Sequence, residues 1–261
     1  MFIQPKAYIF DLDGTIYLGD QIIPGAKETV DWVRSQGAKI RFVTNNPRFS
    51  RDFYADRLNN MGIQTTIDEI VTSAQFTASY LKQNSEKYGN VYSIGEAQLE
   101  KELQHAGVPM TDKNPDTILV SFDTTLNYEK LMVAFHALKN GAHFIATNPD
   151  FVCPTPDGGL VDAGAIIAAL EVSTNRTVDA VIGKPSKLLA ELLVQQLGVP
   201  AEECVVVGDR LNTDVLLGKQ SGLQAVWIRA HEEEIPTDFP YEPNGIIKSI
   251  ADLPGVFAKK V

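Results

Sequence analysis

The sequence predicts an α/β fold of parallel sheets, with a second, smaller α/β domain inserted into the first. Strand-like apolar runs alternate with helix-period segments along the whole chain, the pattern of repeated strand–helix units. The span between Thr44 and Lys184 is far longer than the roughly 30 residues of a single strand–helix–strand crossover, and it carries its own alternation. Four segments also place acidic, hydroxyl-bearing or basic residues at strand ends, where open α/β sheets bind their ligands.

Ala7, Tyr8, Ile9 and Phe10 form the first apolar run and read as a buried parallel strand. Ile16, Tyr17 and Leu18 face Gln21, Ile22 and Ile23 across Gly19 and Asp20, a tight hairpin. A helix is expected over 26–35, then a strand ending at Thr44, then a helix over 51–60 that stops near Gly62. Thr72 and Ser73 can cap a third helix that runs to about residue 81. Strands follow at 91–94, 117–120 and 143–146, with helices over 96–106, 128–140 and 164–174. The first domain is therefore expected over 1–78 and 180–261, and the inserted one over 79–179. Val181 and Ile182 lead to Gly183 and Lys184, ahead of helically spaced leucines at 188, 189, 192 and 193. Cys204, Val205, Val206 and Val207 form another buried strand that delivers Gly208 and Asp209. There is no internal repeat or low-complexity tract, and Glu232, Glu233 and Glu234 read as a solvated acidic turn.

The chain has 261 residues, 44% hydrophobic and 21% charged, enough for one large domain or two modest ones. Its net charge of −10 argues against a nucleic-acid backbone or an anionic membrane as a main partner. A phosphate substrate remains compatible, because a metal and one Lys can supply local positive charge. No apolar run reaches the ~20 residues of a membrane helix, and the N-terminus lacks a basic-then-apolar signal pattern. Of the two cysteines, Cys204 opens a buried strand as a small core residue, whereas Cys153 falls in a Pro-rich loop, a setting compatible with exposure. The simplest expectation is a reduced, cytoplasmic protein.

The strand ends carry the chemistry. Asp11 and Asp13 leave the first strand one residue apart, and carboxylates that close favour a shared proton or a bound cation. Thr44, Asn45 and Asn46 offer a hydroxyl and backbone N–H groups suited to a phosphoryl group. Lys184 is a compact positive charge between a strand and a helix start, aimed at an anion. Asp209 sits at a strand tip, and Asp214 falls in the first turn of the next helix, where an acid also complements the helix dipole.

Taken in order, these four segments resemble the four motifs of the haloacid dehalogenase (HAD) superfamily. The runs VTNN at 43–46, ATNPD at 146–150 and GDRLNTD at 208–214 resemble its NagD-like, or p-nitrophenylphosphatase-like, branch. The resemblance implies a Rossmann-like doubly wound parallel-sheet core with an inserted C2-type cap. It implies a Mg²⁺-dependent hydrolase of small phosphorylated metabolites, sugar phosphates or nucleoside monophosphates. Asp11 is then the nucleophile that forms an aspartyl-phosphate, and Asp13 the general acid and later base. Mg²⁺ is assigned the side chains of Asp11 and Asp209 and the Asp13 backbone carbonyl, with Asp214 holding a metal-bound water. Thr44 and the Asn45 N–H hold phosphoryl oxygens, and Lys184 bridges the phosphoryl group and Asp11. Thr15 stabilises the motif loop. Specificity is assigned to the cap, with Asn148 and Asp150 contacting the non-phosphate part of the substrate, and His136 and His143 are structural. A homo-oligomer formed through the cap is compatible with this reading. Two stretches depart from many relatives: Pro47, Arg48, Phe49 and Ser50 replace a Ser/Thr-rich run, and 160–165 lacks a Pro-Gly-Asn-Gly run. Both leave catalysis intact and bear on the substrate.

A halide-displacing dehalogenase needs neither Asp13 nor a metal, and this chain provides for both. A phosphotransferase that uses the same intermediate remains open. A phospho-acceptor signalling domain places its acid pair ahead of the acceptor strand and has no inserted domain. A non-catalytic binding protein is expected to lack a motif acid, and all are present.

Overall fold

The computed structural model describes residues 3–155, 158–230 and 234–257. Glu232 and Glu233 of the expected acidic turn lie outside these residues, and Glu234 is exposed. In chain order come β1 (Ala7–Phe10), the hairpin strands β2 (Tyr17–Leu18) and β3 (Gln21–Ile22), α1 (Ala26–Ser35), β4 (Lys39–Thr44), α2 (Arg51–Asn60) and β5 (Ile70–Thr72). Next are α3 (Ser73–Gln83), α4 (Ser85–Tyr88), β6 (Val91–Ile94), α5 (Ala97–Ala106), β7 (Thr117–Val120), α6 (Tyr128–Lys139) and β8 (His143–Ala146). The hairpin β9 (Val152–Cys153) and β10 (Leu160–Val161), α7 (Ala163–Thr174) and β11 (Ala180–Val181) follow. Last are α8 (Lys187–Leu197), β12 (Cys204–Gly208), α9 (Leu216–Gln220), β13 (Gln224–Ile228), β14 (Gly245–Ile247) and α10 (Leu253–Phe257).

The chain divides into two compact units. One comprises Met1–Thr44, Arg51–Val71 and Pro185–Val261, the other Asn45–Ser50 and Thr72–Lys184. The first unit is built on a six-stranded sheet in the order β14-β13-β12-β1-β4-β5. β1 lies parallel to both β4 and β12, and β12, β13 and β14 are parallel in turn. The chain works outward from β1 on one side, then restarts at β12 and works outward on the other. β1 is thus the point at which strand order reverses, the place where doubly wound sheets open a crevice. Every residue of β1 and of β12 is buried, which is why both read as unbroken apolar runs. Tyr8, Phe10 and Phe42 stack through this core at 5.9 and 6.0 Å between ring centres.

The second unit has its own parallel sheet, ordered β11-β8-β7-β6. Alternate residues point to opposite faces, so both faces are covered. Ile118, Val120, Phe144 and Ala146 pack with Ala134 and Leu138 of α6 and with Ile166 and Leu170 of α7. Leu119 and Ile145 pack with Ala74, Ala78 and Leu81 of α3 and with Leu99 and Leu103 of α5. The architecture is the Rossmann-like α/β class that the alternation predicts.

Helix starts follow their caps. Thr72 Oγ1 accepts from the Gln75 N–H at 3.2 Å, and Asn127 Oδ1 from the Lys130 N–H at 2.9 Å. Glu96 is the cap residue of α5, and Asp162 caps α7 by accepting from the Ala163 N–H, so these helices begin one residue away from the expected positions. Asp214 lies in a π-helical turn, Leu211–Val215, that precedes α9. His143 packs edge-on to Tyr88, and the exposed His136 lies on α6 beside Phe135. Neither cysteine is in a disulfide and both are buried. Burial, with the nearby charges of Glu203 and Glu202, pushes the Cys204 thiol up to about 11. Cys153 differs from the exposed-loop expectation because it forms part of the β9–β10 hairpin, with Asn46 Nδ2 3.9 Å from its Sγ. Among the described residues no helix is long and apolar enough to cross a membrane.

Candidate active site

In the first unit, β1, β4 and β12 run parallel and in register, with Phe10 opposite both Phe42 and Val207. Their carboxyl ends therefore come out side by side. Asp11 follows β1 and its N–H donates to the Val207 carbonyl at 3.0 Å. Thr44 is the last residue of β4, and Asp209 follows β12. One carboxylate oxygen from each of Asp11, Asp209 and Asp214 lies within 4.8 Å of the other two. Asp11 and Asp214 are buried. Three carboxylates so close repel strongly unless protons or a cation intervene. Their donors are hard oxygens, which suit a hard divalent cation, so the residues fit the metal that the HAD family generally uses.

Asp13 is placed by a tight turn. The Leu12 carbonyl accepts from the N–H groups of Thr15, Ile16 and Tyr17 at 3.2, 2.9 and 3.2 Å, and the Gly14 N–H donates back to the Tyr17 carbonyl at 2.8 Å. Thr15 is fully buried in this turn. Gly14 has φ +91°, and a Cβ there would overlap Asp209 Oδ2, so the turn passes directly against the metal-ligand candidate. The Trp227 indole donates to the Asp209 carbonyl at 2.9 Å, and the Arg210 N–H donates to Asp214 Oδ2 at 3.2 Å. Tyr17 is fully buried beneath the Arg57 guanidinium, which lies 4.4 Å from its ring centre. Burial first, and then the charge of Asp13, pushes its phenol well above the ordinary range and keeps it protonated.

The second unit brings Asn45, Asn148, Asp150 and Lys184 together. The Asn45 carboxamide pairs with the Lys184 main chain in both directions: Oδ1 accepts from the Lys184 N–H at 2.9 Å, and Nδ2 donates to the Lys184 carbonyl at 3.0 Å. Nδ2 also donates to Asp150 Oδ2 at 2.9 Å. Ser73 Oγ donates to the Asn45 carbonyl at 2.7 Å. Gly183 makes the approach close enough, since a Cβ there would overlap the Thr147 carbonyl and crowd Asn45 Oδ1. Asn148 is fully buried, and its Nδ2 donates to Asp150 Oδ2 and Asp162 Oδ1 while its Oδ1 accepts from Thr147 Oγ1. Its amide is thus occupied within the loop, with geometry suited to holding Asp150. Asp150 is half-buried and Lys184 is 3% exposed. Sequence reasoning missed the side-chain role of Asn45 and the parts of Ser73, Gly183, Trp227 and Asp162. Their partners lie too far along the chain for any local pattern to reveal, and only the glycines stood out.

A haloacid dehalogenase-like hydrolase family model matches residues 8–109, and a HAD-hydrolase-like model matches residues 181–253. The sugar-phosphatase AraL of Bacillus subtilis (strain 168) is 34% identical over 253 residues, covering 96% of this chain and 93% of that protein.

The chain belongs to the haloacid dehalogenase-like hydrolases.

Among solved structures of the family, 4-nitrophenylphosphatase from Thermotoga maritima is similar at a TM-score of 0.87 and 35% identity, covering 97% of each chain. NagD from Escherichia coli K-12 is similar at a TM-score of 0.85 and 30% identity, covering 96% of this chain and 98% of that one. The chain is accordingly a phosphatase of the NagD-like branch of this family.

The Gly14–Asp209 contact gives a test that needs no substrate. Gly14→Ala adds a methyl group against Asp209 and a residue that resists positive φ, costing about 1–2 kcal/mol for the backbone alone. A divalent cation should raise the melting temperature of the parent protein, and the variant should melt several degrees lower and lose that rise. An undiminished rise would show that Gly14 and the cation site are uncoupled.

Proposed function

We propose that this phosphatase is a Mg²⁺-dependent phosphomonoester hydrolase that acts on small phosphorylated metabolites through an aspartyl-phosphate on Asp11. The observation that carries this reading is the Asp11, Asp209 and Asp214 cluster at the carboxyl edge of the β1 switch point. The names of curated relatives, a sugar-phosphatase from Bacillus subtilis and an acid sugar phosphatase from Staphylococcus aureus, favour sugar phosphates over nucleoside monophosphates. Neither cysteine is in a disulfide, which fits a reducing compartment, and we place the enzyme in the cytoplasm.

Asp11 attacks phosphorus as the ester P–O bond breaks, and Asp13 gives its proton to the leaving oxygen. Asp13, now a carboxylate, takes a proton from the water that cleaves the acyl phosphate, which returns Asp11 and releases phosphate. Mg²⁺ would be held by Asp11, Asp209 and the Asp13 carbonyl, with Asp214 holding one of its waters, and would supply charge neutralisation for the phosphoryl oxygens. The Thr44 hydroxyl and Asn45 N–H hold those oxygens, and Lys184 offsets the charge that develops on them. The Asn45 carboxamide fixes the Lys184 peptide, so one residue serves both the phosphoryl group and its counter-charge. Asp150, held by Asn148, accepts hydrogen bonds from substrate hydroxyls.

EDTA should abolish turnover of p-nitrophenyl phosphate and of sugar phosphates, Mg²⁺ should restore it, and one free phosphate should appear per ester cleaved. Full activity in metal-free buffer contradicts the metal assignment, and phosphate appearing on an added alcohol identifies a transferase. Asp13→Asn separates the two carboxylates of the first motif. A sugar alkoxide leaves poorly without a proton, whereas p-nitrophenolate needs none. In single-turnover measurements of the first step, the substitution should slow sugar-phosphate cleavage by about 10²–10⁴-fold and p-nitrophenyl phosphate cleavage by much less. Equal losses would assign proton donation to another group.

A further inference from the structure

The turn that presents Asp13 is closed on its far side by Tyr17. Asp13 and Tyr17 form an isolated bridge, the Gly14 N–H donates to the Tyr17 carbonyl at 2.8 Å, and the Tyr17 N–H donates to the Leu12 carbonyl at 3.2 Å. Tyr17 also opens the β2–β3 hairpin, a separate sheet in which Tyr17 pairs with Ile22 and Leu18 with Gln21. A hairpin that small does not hold its own position. The Tyr17 phenol offers no anchor either, because its oxygen is buried and has no hydrogen-bond partner among the described residues. Turn, hairpin and acid cluster all belong to the first unit.

Arg57, in the last turn of α2 and in the same unit, supplies the missing restraint. The helix is a firm base, seated in the core by Tyr54, Ala55 and Leu58. The guanidinium carbon lies 4.4 Å from the Tyr17 ring centre, and Phe53, one helical turn earlier, backs it at 6.0 Å. Nη2 donates to the Gly19 carbonyl at the tip of the hairpin and to Asp20 Oδ1 at 2.9 Å. The Arg57 side chain is 18% exposed, whereas Asp20 is fully exposed, so that ion pair is screened and adds little. A guanidinium drawn so far out of water gains most from the ring face and the carbonyl. Helix α2 is thereby fastened, through Tyr17, to the backbone on both sides of Asp13.

Building on the phosphatase reading above, we propose that Arg57 is a positioning residue for the general acid. By clamping the Tyr17 ring it holds the Asp13 turn where the carboxyl group meets the leaving oxygen. The path runs through Tyr17, and the contact with Asp20 at the hairpin tip is dispensable.

Two aryl esters of nearly equal shape test this. Phenolate is a stronger base than p-nitrophenolate, so phenyl phosphate gains more from a donated proton than p-nitrophenyl phosphate does. Single-turnover cleavage is measured for both, with enzyme in excess. Asp13→Asn should slow phenyl phosphate more than p-nitrophenyl phosphate, which gives the signature of a lost acid. Arg57→Ala should show the same signature in weaker form, lowering the ratio of the two rates about 3–30-fold, the range expected for losing a cation over a ring. Arg57→Lys, which keeps the charge without the planar stack, should recover part of the ratio. Asp20→Asn should leave the ratio unchanged. Tyr17→Leu should lower it, and adding Arg57→Ala to that variant should lower it no further, because one residue acts through the other. A melting curve of each variant guards against simple unfolding, and Arg57→Lys carries the test if Arg57→Ala does not fold. Equal slowing of both esters by the Arg57 variants, while Asp13→Asn separates them, overturns the proposal and makes Arg57 a structural tie. An Asp20→Asn effect as large as that of Arg57→Ala, or additive losses in the double variant, overturns the path through Tyr17. If Asp13→Asn does not separate the esters, or the parent cleaves neither, the reading beneath the proposal falls and the proposal with it.

Discussion

Three carboxylates held within 4.8 Å of one another are the constraint on which the first unit is organised. Their repulsion is tolerable only when something positive, or a proton, sits among them. Much of the unit's architecture serves to bring them there. Parallel register aligns the ends of β1 and β12, a π-helical turn delivers Asp214, and Gly14 lets the Asp13 turn press against Asp209. The surrounding strands are buried at every position of β1 and β12, so the acids stand on a rigid floor.

The second unit solves a different problem. It holds a lysine and the loop after β8 with one carboxamide. Asn45 pairs with the Lys184 peptide and reaches Asp150, while Asn148 and Asp162 fix the far side of the same loop. Each polar group in this cluster is buried or half-buried, so leaving one unpaired would cost about 1–3 kcal/mol. Such a network is coupled: a change at Asn148 is felt at Asp150 through a shared oxygen.

The legible parts of the chain were those whose signal is local. β1 and β12 are legible because strands buried on both faces are apolar throughout, and Asp11 and Asp209 stand out because each follows such a strand, Thr44 because it follows the apolar pair Phe42 and Val43 in β4. The starts of α5 and α7 were readable to within a residue: Glu96 caps α5 instead of beginning it, and Asp162 caps α7 so that it begins at Ala163. What stayed hidden was long-range. The pairing of Asn45 with Lys184 spans 139 positions, and no periodicity encodes it. The burial of Cys153 depends on a two-residue strand pairing across a loop, and that of Asn148 on partners fourteen positions away.

The account rests most heavily on the claim that the acid cluster is a divalent-cation site. Diffraction from crystals grown with Mn²⁺ in place of Mg²⁺ tests it, because manganese gives an anomalous signal. The account predicts a single strong peak bonded to Asp11, Asp209 and the Asp13 carbonyl, with Asp214 reached through a bound water. A peak held by other residues, or no peak at saturating Mn²⁺, would contradict it.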